Sequence, residues 1–261
     1  MIGNATLKAI GISNVTTSLD SQPLTWTVGL QELKENGANP TFDRNFYLGT
    51  PPSIQLNDAH GCALFFDGIS ANLTSSMGDQ LDKFSCSNVL AEACVSDLIA
   101  QARSTYEGFG VATDGSPGIC SRLSDALMDK PPTACNGIKG SWGTILAQPL
   151  TGNSASEQIK QEQCHPTTGQ DYGLSLIASI RKEASGRELS ELSPILNAIT
   201  PVMTVFAKEN DTDVELSCLK LVESKANQTV DSQPSQGAMS LPRSSLGLFA
   251  TMTAAAYFFV L

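Results

Sequence analysis

The order of hydrophobic periods predicts an α+β domain with a mainly antiparallel sheet and two or three helices, disulfide-stabilised and followed by a C-terminal apolar tail. Three observations carry that expectation. Strand-like alternation occupies both ends of residues 1–222, and helix-like recurrence occupies the middle. Seven cysteines without a metal-binding pattern punctuate the same stretch.

In Leu24-Thr25-Trp26-Thr27-Val28-Gly29-Leu30, the residues Leu24, Trp26, Val28 and Leu30 fall on one face, the mark of a half-buried strand. Asn45-Phe46-Tyr47-Leu48 and Cys62-Ala63-Leu64-Phe65-Phe66 read as further short strands, with Pro51-Pro52 and Asp67-Gly68 as stops. The period then changes. Ser87 or Asn88 can cap a helix over 87–106, in which Leu90, Cys94, Leu98, Ala102 and Tyr106 recur every fourth residue. Gly108 and Gly110 end it. A second helix follows Pro117, with Cys120, Leu123 and Leu127 on one stripe and Pro131-Pro132 as its stop.

Residues 135–171 are rich in Gly, Thr and Gln and read as mostly loop. Alternation returns in Tyr172, Leu174, Leu176 and Ile180, in Val202, Thr204 and Phe206, and in Val214, Leu216 and Cys218. The polar connection from Lys208 to Asp213 reads as a hairpin tip. Ser185 to Leu196 reads as a short helix or a loop broken by Pro194. Apolar periodicity stops after Val222, which gives three regions: 1–222 an ectodomain, 223–245 a Ser/Pro/Gln-rich linker, 246–261 an apolar tail.

That tail, LGLFATMTAAAYFFVL, holds no charge. As a helix it would rise only about 24 Å, short of a hydrocarbon core of roughly 30 Å. Small residues at Ser235, Gly237 and Ala238, a polar spacer and a terminal apolar segment form the pattern of a GPI-attachment signal. The expected attachment residue is Ser235, with Gly237 second. A plain tail anchor on a cytosolic protein is the rival reading.

Five sequons favour the secretory address: Asn4-Ala5-Thr6, Asn14-Val15-Thr16, Asn72-Leu73-Thr74, Asn210-Asp211-Thr212 and Asn227-Gln228-Thr229. Asn39 precedes Pro40 and is excluded. Met1-Ile2-Gly3-Asn4 has neither a basic nor an apolar leader segment, so a signal peptide is expected upstream of this start. The formal charge of −10, with no Lys/Arg cluster, disfavours nucleic acid and anionic headgroups as partners.

The cysteines are Cys62, Cys86, Cys94, Cys120, Cys135, Cys164 and Cys218. Cys86 and Cys94 would lie about 12 Å apart along a helix, too far to bond. Cys94 with Cys120, on successive inward stripes, and Cys164 with Cys218, flanking the C-terminal strands, are the expected pairs. Cys62, Cys86 and Cys135 then remain, one too many for a pairing.

No catalytic, cofactor-binding or metal residue is nominated. His60 and His165 are the only histidines, and Cys164-His165 lacks the partners of a tetrahedral zinc site. Both histidines are expected in loops. There is no nucleophile elbow, phosphate loop or dinucleotide fingerprint. Phe46-Tyr47-Leu48-Gly49-Thr50-Pro51-Pro52 resembles a strand of pepsin-like proteases. Asp67-Gly68 and Asp114-Gly115-Ser116, however, lack the hydroxyl residue between Asp and Gly that the proton-sharing dyad needs.

That segment, with Thr25-Trp26-Thr27-Val28-Gly29 before it and Gly61-Cys62-Ala63-Leu64-Phe65-Phe66 after it, resembles a group of uncharacterised fungal secreted, GPI-anchored proteins. The resemblance runs on through Cys86, Cys94, Cys120, Cys135 and Pro201-Val202-Met203-Thr204-Val205-Phe206 to Cys218. It implies a fungal cell-surface or cell-wall setting and no activity. The expectation is a non-catalytic surface glycoprotein, on the membrane through its lipid anchor, binding wall polysaccharide or a surface protein. The competing expectation is a wall-modifying hydrolase with an acidic pair that spacing does not identify.

Overall fold

A computed structural model describes residues 6–33, 39–54, 56, 59–70, 73, 85–109, 118–136, 138, 142–159, 167–169, 171–208 and 211–222. The fold is α+β, with two antiparallel sheets and a helical layer. Nine strands are described: β1 Ala9–Thr17, β2 Asp20–Leu33, β3 Thr41–Thr50, β4 His60–Phe66, β5 Ile145–Pro149, β6 Gln158–Ile159, β7 Gly173–Glu183, β8 Ile199–Lys208 and β9 Asp211–Lys220. One sheet has the order β1-β2-β3-β7-β6 and the other β5-β4-β8-β9. The helices are α1 Asp67–Ser70, α2 Ser87–Leu90, α3 Glu92–Gly108, α4 Gly118–Asp129 and α5 Leu189–Leu196. Residues 223–261 lie outside the described residues.

The four-stranded sheet is buried on both faces. Along β4, Cys62, Leu64 and Phe66 join the core under the helices, while Ala63 and Phe65 join the core between the sheets. Along β8, Met203 and Val205 go to the helical side, and Val202 and Phe206 to the inter-sheet side. A strand with no wet face reads as a continuous apolar run, which is why β4 and β8 do. The five-stranded sheet closes the inter-sheet core with Leu24, Trp26, Val28, Leu30, Phe46 and Leu48. Trp26 meets Phe65 edge-on at 5.6 Å, and its indole Nε1 donates to Thr204 Oγ1 at 2.8 Å. The hydrogen bond removes the cost of burying the indole N–H.

Two disulfides bind the helical layer to its sheet, Cys62–Cys120 and Cys86–Cys218, and a third, Cys94–Cys135, ties α3 to the turn after α4; their Cα separations are 5.6, 5.1 and 4.7 Å. The expected Cys94–Cys120 and Cys164–Cys218 pairs are therefore corrected. Cys120 faces the sheet beneath α4 and meets β4. Cys94 faces the 3₁₀ turn Thr133–Cys135. Cys218 turns to the helical side, where Cys86 waits at the entry to α2. Cys164 lies outside the described residues.

Other expectations need adjustment. The helix expected over 87–106 is two helices, broken at Ala91, whose φ of 68° and ψ of 144° no helix accommodates. Residues 135–171 include β5, which pairs with β4, and β6, which pairs with β7. The alternation in β7 slips at a bulge opposite Phe46 and Tyr47, so Leu174 and Ile177 are buried and Leu176 is exposed. Pro194 is carried inside α5, which a capping box of Glu188 and Glu191 starts. His60 begins β4 rather than lying in a loop, while His165 is outside the described residues. β8 and β9 form the expected hairpin, with Lys208 opposite Asp211.

Ala91 is an exposed, non-glycine residue at positive φ, a conformation that costs of order 1–3 kcal/mol. Its methyl group fills no core space. Ala91→Gly should therefore raise stability by about 1 kcal/mol after the larger unfolded-state entropy of glycine is subtracted. Thermal unfolding at neutral pH checks this; a lower melting temperature would show that the backbone at Ala91 is unstrained.

Candidate functional site

β9 is an edge strand, and its residues divide by parity. Val214, Leu216 and Cys218 turn to the helices, while Asp213 turns the other way and accepts a hydrogen bond from the Ser18 backbone N–H at 2.6 Å. Arg103, on α3, donates from Nε to the Thr212 carbonyl at 3.0 Å and so covers part of the strand's open edge. Between these groups lies a recess of about 240 Å³ lined by Ser18, Arg103, Glu107, Asp211, Thr212 and Asp213.

Three carboxylates face one guanidinium there, so the recess is acidic on balance. It is small and polar, unlike the larger apolar pockets that hold most small-molecule ligands. Such a set can hold an ammonium or a hydroxyl cluster by charge-assisted hydrogen bonds. Glu215 lies two residues beyond Asp213 on the same face. Burial first, and then the Asp213 charge, raise its pKa, while Arg103 lowers it. The two residues lie about 6.7 Å apart along the strand. Glu215, however, does not line the recess, so the pair does not share one cavity.

A second unusual place is Arg44, at 1% exposure inside the inter-sheet layer. Nη2 donates to the Ala198 carbonyl at 3.1 Å, while Nε and Nη1 have no hydrogen-bond partner among the described residues. Burial pulls its pKa down to about 10 and the Asp67 charge opposes that, so the cation persists at neutral pH. Asp67 is also paired with Lys182, and the guanidinium lies 5.7 Å from the Phe46 ring centre. The arginine is oriented by the strand and only part-satisfied, which is costly in a low-dielectric interior.

Of the residues singled out in the sequence, Asn14 is exposed on β1, and the six cysteines other than Cys164 are all bonded. Asn4, Asn72, Asn210 and Asn227, with Ser235 and Gly237, lie outside the described residues. Among the described residues no group of three or more His, Cys, Asp or Glu side chains is placed to hold a metal, and no helix is long and apolar enough to cross a membrane. The alternation of Val214, Leu216 and Cys218 gives no sign of the recess and signals only the apolar half of β9. Its acidic half, Asp211, Asp213 and Glu215, was equally visible in the sequence. A scan of family models and searches of curated proteins and of solved structures found no match to this chain.

The raised pKa of Glu215 sets a sign. The folded state holds this proton more tightly than the unfolded chain, so stability is greatest at low pH. It falls as pH rises from the ordinary glutamate value of 4.5 through the higher folded value. Glu215→Gln should remove that fall and unfold at a higher temperature than wild type at pH 7. Melting curves collected from pH 4 to pH 8 test it; parallel curves for the two proteins would reject the assignment.

Proposed function

We propose that this protein is a non-catalytic surface glycoprotein, carried by a GPI anchor on the outer face of a fungal plasma membrane or wall, whose acidic recess engages amine-bearing polysaccharide. The observation that supports it most is the bonding of all six described cysteines into three pairs, a pattern of oxidising compartments. The sequons and the charge-free C-terminal segment support the same address. The acidic lining of the recess supports a cationic partner over an anionic one. A hydrolase is the second reading, favoured by the raised proton affinity of Glu215 beside Asp213.

The anchor is tested by expressing the chain behind a working signal peptide in a fungal host and treating intact cells with phosphatidylinositol-specific phospholipase. Most of the protein should leave the membrane lacking its apolar tail. Retention with the tail intact would reject the anchor.

The recess is tested with a polymer of free glucosamine against a neutral glucan. The protein should prefer the amine-bearing polymer, lose that preference at high salt, and lose most of it in Glu107→Gln/Asp211→Asn. Equal binding to both polymers would reject the recess as the contact. Cleavage of the polymer by wild type but not by Glu215→Gln would establish the hydrolase instead.

A further inference from the structure

The outermost strand β1 carries an apolar strip that ends at a sequon. Ile10, Ile12 and Asn14 alternate onto one face, and Ile12 is 51% exposed. Val222 forms an antiparallel bridge with Ile10, its N–H donating to the Ile10 carbonyl at 3.0 Å, and is itself 37% exposed. Directly opposed residues of such a pair present their side chains to the same side. Val222, Ile10 and Ile12 therefore form one partly wet strip, with Asn14 about 6.7 Å beyond Ile12. The chain can come this close to β1 because Gly11 has no side chain; a Cβ there would lie 1.8 Å from the Lys220 carbonyl oxygen. Beyond that bridge the free edge of β1 has no strand partner among the described residues.

Asn14 is prepared for a substituent. The Thr25 hydroxyl donates to Asn14 Oδ1 at 3.4 Å, which leaves Nδ2 without a bond among the described residues. Glycosylation replaces one hydrogen on Nδ2 and keeps Oδ1 as an acceptor, so the Thr25 contact survives it. Thr16, the hydroxyl residue of the sequon, is also exposed.

We propose that the glycan on Asn14 folds back along β1, its first N-acetylglucosamine residues covering Ile12 and Ile10 and blocking the open edge against pairing with a second chain. The transfer uses a lipid-linked oligosaccharide pyrophosphate. The Nδ2–C1 bond forms, the C1–O bond to pyrophosphate breaks, and Nδ2 gives up one proton. An uncovered edge with exposed β-branched side chains is a template for aggregation, and a bulky polar chain removes it. The inference rests on the secretory part of the proposed function.

The test compares wild type, Asn14→Gln and Thr16→Ala, all secreted from a glycosylating fungal host, by light scattering at 37 °C. Thr16→Ala loses the glycan while keeping Asn14 and its bond to Thr25. Both variants should aggregate about threefold faster or more, as expected of an uncovered edge. Adding Ile12→Thr to either should restore the wild-type rate. Peptide mapping of wild type should find Asn14 occupied. A chain glycosylated elsewhere but bare at Asn14 overturns this inference alone, as does a glycan whose loss leaves aggregation unchanged. A chain without sugar at any sequon rejects the secretory reading beneath it.

Discussion

Two-sided burial of β4 and β8 is the constraint on which the other elements depend. Their alternate side chains feed two cores at once, so neither the five-stranded sheet nor the helices can be absent without exposing one whole face. The helices α3 and α4 cover one side, against β9 and against β4 and β5. Trp26, Phe46 and Leu48 cover the other. Each buried side chain of this size is worth roughly 1.5–3 kcal/mol, so a fully exposed face would outweigh the net stability of an ordinary domain. The disulfides reinforce only the helical side, where α2 is a single turn and the turn at Cys135 is shorter still.

The sequence made the strands of the two cores legible wherever alternation was strict. β2 was visible from Leu24, Trp26, Val28 and Leu30, and the β8–β9 hairpin from its polar tip. α4 was visible from Cys120, Leu123 and Leu127. β1 was missed because its inward positions are Ala9, Gly11 and Val15, too small to sound as a pattern. β5 was missed because Gln148 and Pro149 obscure a strand whose role is to extend β4. The disulfide pairs were misread because facing stripes constrain which side a cysteine points to and not which element covers that side. Cys94 and Cys120 do share one core, yet each bonds a different neighbour.

The candidate site lies at an edge of this structure, and its part-satisfied buried charge lies in the interior. The recess at β9 gathers acids from a strand and a helix that the cores hold in place, so its geometry is set by apolar packing a short distance away. Arg44 is the opposite case: a cation in the inter-sheet layer whose Nε and Nη1 have no hydrogen-bond partner among the described residues. A buried charge of this kind contributes little net stability, and a well-packed apolar residue often does better. What it adds is discrimination, since any packing that shifts β3 against β8 separates the guanidinium from the Ala198 carbonyl, its hydrogen-bonding partner among the described residues.

The Cys86–Cys218 bond has a mechanical meaning. Load on the chain beyond Val222 enters the domain through β9, an edge strand that would otherwise unzip from β8 one rung at a time. The covalent link at Cys218 stops that once Lys220 and Leu219 have peeled, and passes the tension to Cys86. From there it reaches Cys94 through α2 and the start of α3, and Cys135 through the next bond. Force applied at the C-terminal end of β9 is thereby taken up by disulfides rather than by single hydrogen bonds.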